Sequence, residues 1–453
     1  MPAFMNRRSF LALGGASLAT AALASCAGPS TGSGSSSSSA ATDWTSVTPA
    51  DSISWLSSHP GKSEEAEKQI IEAFEAETGI KVELITGGAN YEEVAAKFQT
   101  QQAGTEISDI VVASDVWWFR FAINDQVIPL TPDLLSAAGN DTSEYHTTLF
   151  DDYLYGDDHW AVPFARSTPL FYYNKAHLAA AGLPDRAPET WEEFFEEWVA
   201  PLKSANASTS GYLQPYQYPA LDGYAGWTFQ NLLWGRGTGW SDGWTITCAD
   251  DAAIAAMQQV QDSIAKDGAA GVSSKNAIAD LVAGAVSATV SSTGDLVGAL
   301  SSAKENGIEL GVGFLPGGPK ATTGVCPTGG AGLVIAKKTS PERQLAAAKF
   351  VSFATNADNA ALFSKATGYM PVRTTADMSD VLSSTPQIEV AINQLKVTKS
   401  QDYGRVFLPG ADQEMAKSCA QLMNEGADVA TTMQALKDTL ETIYKRDVEP
   451  KLK

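Results

Sequence analysis

An α/β fold is predicted by three features of the sequence. Short apolar strands alternate with amphipathic helical stretches from Ile53 onward, the alternation restarts at Pro169, and helices fill most of the C-terminal third. Strand, helix, strand in succession implies a parallel sheet, because parallel neighbours need a crossover connection. The 453 residues, 44% hydrophobic and 18% charged, suffice for two or three domains of about 150 residues each.

The first 25 residues belong to export. Asn6-Arg7-Arg8-Ser9-Phe10-Leu11 precedes a charge-free Ala/Leu/Gly run that ends Leu23-Ala24-Ser25-Cys26. A membrane span needs ~20 predominantly apolar residues, so a run this rich in Gly and Ala reads as a cleaved signal peptide. Leu-Ala-Ser-Cys resembles the bacterial lipobox, which makes Cys26 the lipid anchor on the outer face of the cytoplasmic membrane. The paired arginines resemble a twin-arginine signal, with Asn6 where Ser or Thr is usual and Ala12 where Lys is usual; Sec export stays open. Residues 26–49 are Ser/Gly-rich and predict a flexible tether.

Ser63 opens a helix with Glu64, Glu65 and Glu67 in its first turns, favourable to the helix dipole, and Ile70, Ile71 and Phe74 as its buried stripe. Thr78-Gly79 stops it. Ile80, Val82 and Leu84 alternate as a strand, Tyr91 to Gln101 is a helix, and Ile110 to Val112 is a strand. Pro163 and Pro169 bracket a stiff polar loop, Ala165 to Thr168. Pro169–Tyr173 then reads as strand, Lys175–Ala181 and Trp191–Leu202 as helices, Gly284–Val290 as strand, Leu296–Glu305 as helix, and Leu310–Phe314 and Leu333–Ala336 as strands.

Charge narrows the function. With 52 acidic and 31 basic residues the net charge is −21, which disfavours nucleic-acid binding, since phosphate-backbone affinity comes from Lys and Arg. Cys248, Cys326 and Cys419 allow at most one disulfide. The histidines His59, His146, His159 and His177 stand alone, and no H-E-x-x-H, C-x-x-C or P-loop is present, so neither metal nor cofactor is expected. Gly239-Trp240-Ser241-Asp242-Gly243 matches the nucleophile elbow but lacks the strand before and the helix immediately after, so a hairpin-like turn competes with a secreted serine hydrolase.

"PFARSTPLFYYNKAHLAAAGL", "LGVGFLP", "TGGAGLVIAKK" and "KATGYMPVR" resemble segments of bacterial ABC-importer solute-binding proteins of the carbohydrate type, family 1. Within that class the likeness is greatest to the binders of glycerol 3-phosphate and glycerophosphodiesters. The resemblance implies a two-lobed, type II periplasmic-binding-protein-like fold, monomeric and non-catalytic, that closes on a small hydroxylated ligand and hands it to a membrane permease. It places chain crossings near residues 166, 291 and 334. One lobe then comprises 50–166 with 292–333, and the other 167–291 with 334–453.

The same resemblance implies the site. Tyr91 presents its ring and hydroxyl, or packs at its helix start. Asp115 accepts hydrogen bonds from ligand hydroxyls, or caps a helix. Ser167 lies at the ligand, and Tyr224 and Trp227 form an aromatic platform, or core. Ser292 and Thr293 offer free N–H groups to an anion, although Asp295 beside them would repel phosphate. Gly330, like Gly329, lets backbone approach the ligand, and Tyr369 and Arg405 complete the set. Arg405 serves phosphate oxygens, sugar hydroxyls or a structural carboxylate. An oligosaccharide is the alternative ligand.

Overall fold

The computed structural model describes residues 42–58 and 63–452. The expected signal peptide, the expected anchor Cys26 and His59 lie outside the described residues. Among the described residues no helix is long and apolar enough to cross a membrane.

Two five-stranded sheets organise the molecule. In the first, the spatial order is Lys81–Gly88, Ser52–Ser58, Ile110–Ser114, Gly329–Ile335, Val162–Ser167. In the second it is Ala270–Val272, Gln214–Tyr218, Val286–Ser292, Pro169–Asn174, Leu310–Gly313. In each sheet four of the five strands run the same way, three of them as parallel neighbours as the alternation predicts, and one reversed strand is inserted before the fourth: Gly329–Ile335 in the first, Pro169–Asn174 in the second. The sheets are therefore mixed, and both reversed strands arrive from the other lobe. Ile110–Ser114, Val162–Ser167, Pro169–Asn174 and Val286–Ser292 are buried along their whole length, as strands covered on both faces must be.

The expected polar loop at Ala165 to Thr168 is not a loop. Val162–Ser167 ends the first sheet and Pro169–Asn174 begins the second, with only Thr168 between them. The crossing expected near 291 does not occur there. Val286–Ser292 is followed by the helix Leu296–Glu305 and by Leu310–Gly313, which pairs with Pro169–Asn174 in the same sheet. The return runs through Cys326–Thr328 into Gly329–Ile335, six residues ahead of the expected 334 at its near edge.

The lobe boundaries move accordingly. Residues 293–325 belong with the second sheet, not the first. Pro341–Ala354 and Ala357–Thr367 cover the first sheet, with Phe350 at 5.3 Å from Trp55 and 5.1 Å from Phe74, ring centre to ring centre. Only after a third crossing, at 396–402, do the helices Ala411–Glu425 and Val429–Ile443 pack on Ala225–Gly235 and Asp251–Ala265 of the second lobe.

The helix Glu64–Thr78 buries Ile70, Ile71 and Phe74 and ends at Gly79, whose φ of +76° suits glycine. Glu67, expected only as a first-turn acid, has a further role. It is buried and accepts hydrogen bonds from the hydroxyls of Ser57 (2.7 Å) and Ser63 (2.9 Å), and desolvation pushes its carboxyl up to about 7. The stretch expected as one helix from Trp191 is π-helical over Glu193–Trp198 and α-helical over Val199–Asn206.

Candidate functional site

A cavity of about 400 Å³ opens where the two sheets meet. Tyr91, Asp115, Ser167, Tyr224, Trp227, Ser292, Gly330, Tyr369 and Arg405 all line it. Tyr91 heads a helix whose cap, Asn90, accepts from the Glu93 N–H at 2.9 Å. Asp115 follows the end of Ile110–Ser114, and Ser167 sits where Val162–Ser167 pairs with Gly329–Ile335. Tyr224 and Trp227 stand at the start of Ala225–Gly235, Tyr369 follows the left-handed Gly368, and Arg405 lies in the short helix Tyr403–Val406. Strand ends and helix starts of both lobes thus converge, the usual place for a ligand in α/β folds.

Thr293 is the exception. It is fully buried away from the cavity, with its N–H donating to the Thr168 carbonyl (2.9 Å) and its hydroxyl accepting from the Thr168 N–H (3.4 Å). It fastens the first crossing. The neighbouring Gly294 N–H donates to the Ser292 hydroxyl at 3.0 Å, so this turn does not offer the free N–H pair expected for an anion.

The glycines have sharper causes than ligand approach. Gly330 has φ +103°, and a β-carbon there would lie 2.0 Å from the Ala165 carbonyl oxygen. At Gly329 a β-carbon would stand 2.4 Å from the Trp227 indole. The indole fills that space and donates its N–H to the Thr328 carbonyl at 2.8 Å. Tyr224 lies beside it, ring centres 5.9 Å apart.

Charge is the cavity's most informative feature. Asp115 caps no helix; it is buried, bonded to Arg166 and accepting from the Gln401 amide at 2.7 Å. Arg166, fully buried, also pairs with Asp152 and donates to the Tyr153 hydroxyl at 2.6 Å. Desolvation raises the Asp152 carboxyl to about 6 despite this pairing. Arg405 donates from Nε to Asp412 at 2.8 Å and from Nη1 to the Gln401 carbonyl oxygen, leaving Nη2 without a protein partner among the described residues. Its structural-carboxylate and cavity-lining roles coexist.

Four further acids line the cavity: Asp295, noted in the sequence only as unfavourable to phosphate, and Glu92, Asp222 and Asp412, which no local motif marked. Desolvation raises the Glu92 carboxyl, and the neighbouring Asp412 and Asp222 raise it further; the Trp117 indole N–H, donating at 2.7 Å, opposes this. Asp295 accepts from Ser291 (2.7 Å) and Tyr224 (3.1 Å) hydroxyls. Desolvation first and Asp295 second hold the Tyr224 phenol well above its usual range, so it remains a neutral donor. The hydroxyls of Tyr91 and Tyr369 meet at 3.1 Å. Ser114, buried in the lining, has a hydroxyl with no hydrogen-bond partner among the described residues.

Residues 69–390 match the family described as bacterial extracellular solute-binding protein. The chain belongs to that family. UgpB from Mycobacterium tuberculosis, solved in complex with glycerophosphocholine, is 40% identical, superposes with a TM-score of 0.82, and is covered over 100% of its length by 88% of this chain. The sn-glycerol-3-phosphate-binding periplasmic protein UgpB of Brucella melitensis is 24% identical over 363 residues, 76% of this chain and 80% of that one. The protein of the same name from Rhizobium meliloti is 27% identical over 220 residues, a match spanning about half of each chain (47% and 49%).

In this solute-binding protein the serine elbow is not formed. Ser241–Asp242 pairs antiparallel with Thr245–Ile246 as a tight hairpin, and the buried Ser241 hydroxyl accepts from the Gly404 N–H at 2.8 Å. Among the described residues no three His, Cys, Asp or Glu side chains are grouped to hold a metal ion. Cys248, Cys326 and Cys419 are buried free thiols.

Proposed function

We propose that this exported protein captures a glycerophosphodiester with a cationic head group, glycerophosphocholine being the representative, and delivers it to an ABC permease without chemical change. Cys26 and the tether hold it at the outer face of the cytoplasmic membrane as a monomer. Tyr91, Asp115, Ser167, Tyr224, Trp227, Ser292, Gly330, Tyr369 and Arg405 contact the ligand.

The charge balance of the lining carries the ligand assignment. Five carboxylates, Glu92, Asp115, Asp222, Asp295 and Asp412, face the cavity with one arginine, Arg405, already shared with Asp412 and Gln401. A phosphomonoester brings about −1.5 to −2 charges at neutral pH and would be repelled. A choline diester carries a single negative charge and a compensating ammonium, which suits an acidic cavity walled by Tyr224 and Trp227. The relative solved with glycerophosphocholine supports the same class. Carboxylates that only accept also suit sugar hydroxyls, which keeps an oligosaccharide as the second reading.

Calorimetry on the mature chain with Cys26 removed separates these ligands. Glycerophosphocholine is expected to bind with a micromolar or tighter Kd, about −8 kcal/mol or better, glycerol 3-phosphate at least about tenfold more weakly, and maltose without measurable heat. Tighter binding of glycerol 3-phosphate or maltose overturns the assignment.

A further inference from the structure

Gln401 lies in the third crossing and lines no part of the ligand cavity, yet its amide joins two charged residues that do. Its Nε2 donates to Asp115 of the first lobe at 2.7 Å, and its Oε1 accepts from Arg405 Nη1 and from Gln230 Nε2, the latter at 3.1 Å. The amide orientation is fixed by its neighbours, since one end faces a carboxylate and the other faces two donors. Gln230 extends the chain of bonds: its Oε1 accepts from the Asp402 N–H at 2.8 Å, and its Nε2 also donates to the Trp227 carbonyl at 3.1 Å. On the other side Asp115 continues to Arg166 and Asp152. One polar chain therefore runs from the aromatic platform helix, through the third crossing, to the strand that makes the first.

We propose that Gln401 is a positioning residue for ligand capture. It holds Asp115 of the first lobe and Arg405 of the second in one fixed relation without touching the ligand. This rests on the reading of the cavity as the ligand site. Two charged neighbours with opposite needs explain why an amide stands here: Asp115 requires a donor and Arg405 an acceptor. Gln is almost fully buried at this position, where an unmatched polar atom is costly. A carboxylate at 401 would satisfy Arg405 and oppose Asp115; protonated, it would again present one donor and one acceptor.

Gln401→Glu turns that difference into a pH-dependent readout. The groups facing the new carboxyl are Asp115 from the first lobe and Arg405 from its own segment, with Arg166 and Asp412 one bond further and Asp152 beyond Arg166; Asp151 and Tyr403 line the same small cavity as Gln401. Affinity for glycerophosphocholine, expressed as the ratio of variant to wild type, is expected to fall at least about tenfold at pH 8 and to recover as pH falls to 5. Gln401→Leu is expected to lose affinity by a similar factor at both pH values. Small-angle scattering of the ligand-free proteins gives an arm that needs no ligand: Gln401→Glu should show a larger radius of gyration at pH 8 than at pH 5, beyond any change in wild type. Thermal melting establishes that each variant is folded, and a variant that does not fold is replaced by Gln401→Asn, whose shorter amide should likewise loosen both contacts. A flat ratio with an unchanged radius overturns the role of Gln401. Failure of wild type to bind glycerophosphocholine, with the pH-dependent expansion intact, overturns the ligand and leaves Gln401 as the tie between lobes.

Discussion

Single residues decide the electrostatics of the cavity. Arg405 and Asp412 are both buried, so Arg405→Ala strands a carboxylate; breaking such a pair costs about 3 to 5 kcal/mol. The variant is expected to melt at lower temperature and to bind glycerophosphocholine more than about tenfold more weakly. Calorimetry within about twofold of wild type would remove Arg405 from the site. The glycines give an opposed pair. Gly330→Ala must strain a left-handed residue, about 1 to 3 kcal/mol, and also displace the Ala165 carbonyl. Gly298→Ala, in a helix with no atom within 4 Å of the new methyl, should stabilise by about 0.5 to 1 kcal/mol. Denaturant unfolding of both variants checks the two signs. At this scale most of the cavity lining was named through the family resemblance, while strand ends and helix starts gave only the general place where a ligand sits. Thr293 was misread because the Thr168 backbone that claims it is distant in sequence. Glu92, Asp222 and Asp412 carry no motif and reach the cavity only through the packing around it.

Among the elements, the helix Glu64–Thr78 carries a pH dependence of its own. Its Glu67 carboxyl is raised from 4.5 to about 7 in the fold, so the folded protein holds a proton that the unfolded chain releases. That contribution is complete below the unfolded value and is lost as pH rises towards 7, by about 3 kcal/mol in all. Asp152 and Asp402, each raised to about 6, slope the same way. Glu67→Gln should therefore flatten, without abolishing, the fall in stability between pH 5 and pH 8. An unchanged slope in chemical denaturation would show that Glu67 is ionised in the fold. The boundaries of this helix and of Tyr91–Gln101 were legible from apolar period, caps and Gly79. The burial of Glu67 was not, because Ser57 reaches it from a neighbouring strand.

For the whole molecule, the two sheets and their crossings set what ligand capture can do. The α/β class was legible from alternation, whereas two of the three crossings were misplaced. Sheet membership depends on long-range pairing: nothing local to Leu310–Gly313 says that it joins Pro169–Asn174, and the glycines at 329 and 330 hide the start of a strand. If ligand closes the lobes, scattering should give a smaller radius of gyration at saturating glycerophosphocholine than without it; equal radii argue against closure from an open form.

A crystal structure of the protein grown with glycerophosphocholine tests the ligand assignment most directly. The diester should lie inside the cavity bounded by Asp115, Ser167, Trp227 and Arg405, with a phosphate oxygen on the open Nη2 of Arg405 and the ammonium within about 6 Å of the Tyr224 or Trp227 ring. Density outside the cavity, or a phosphate seated among Glu92, Asp222 and Asp412 with the ammonium at Arg405, would contradict it.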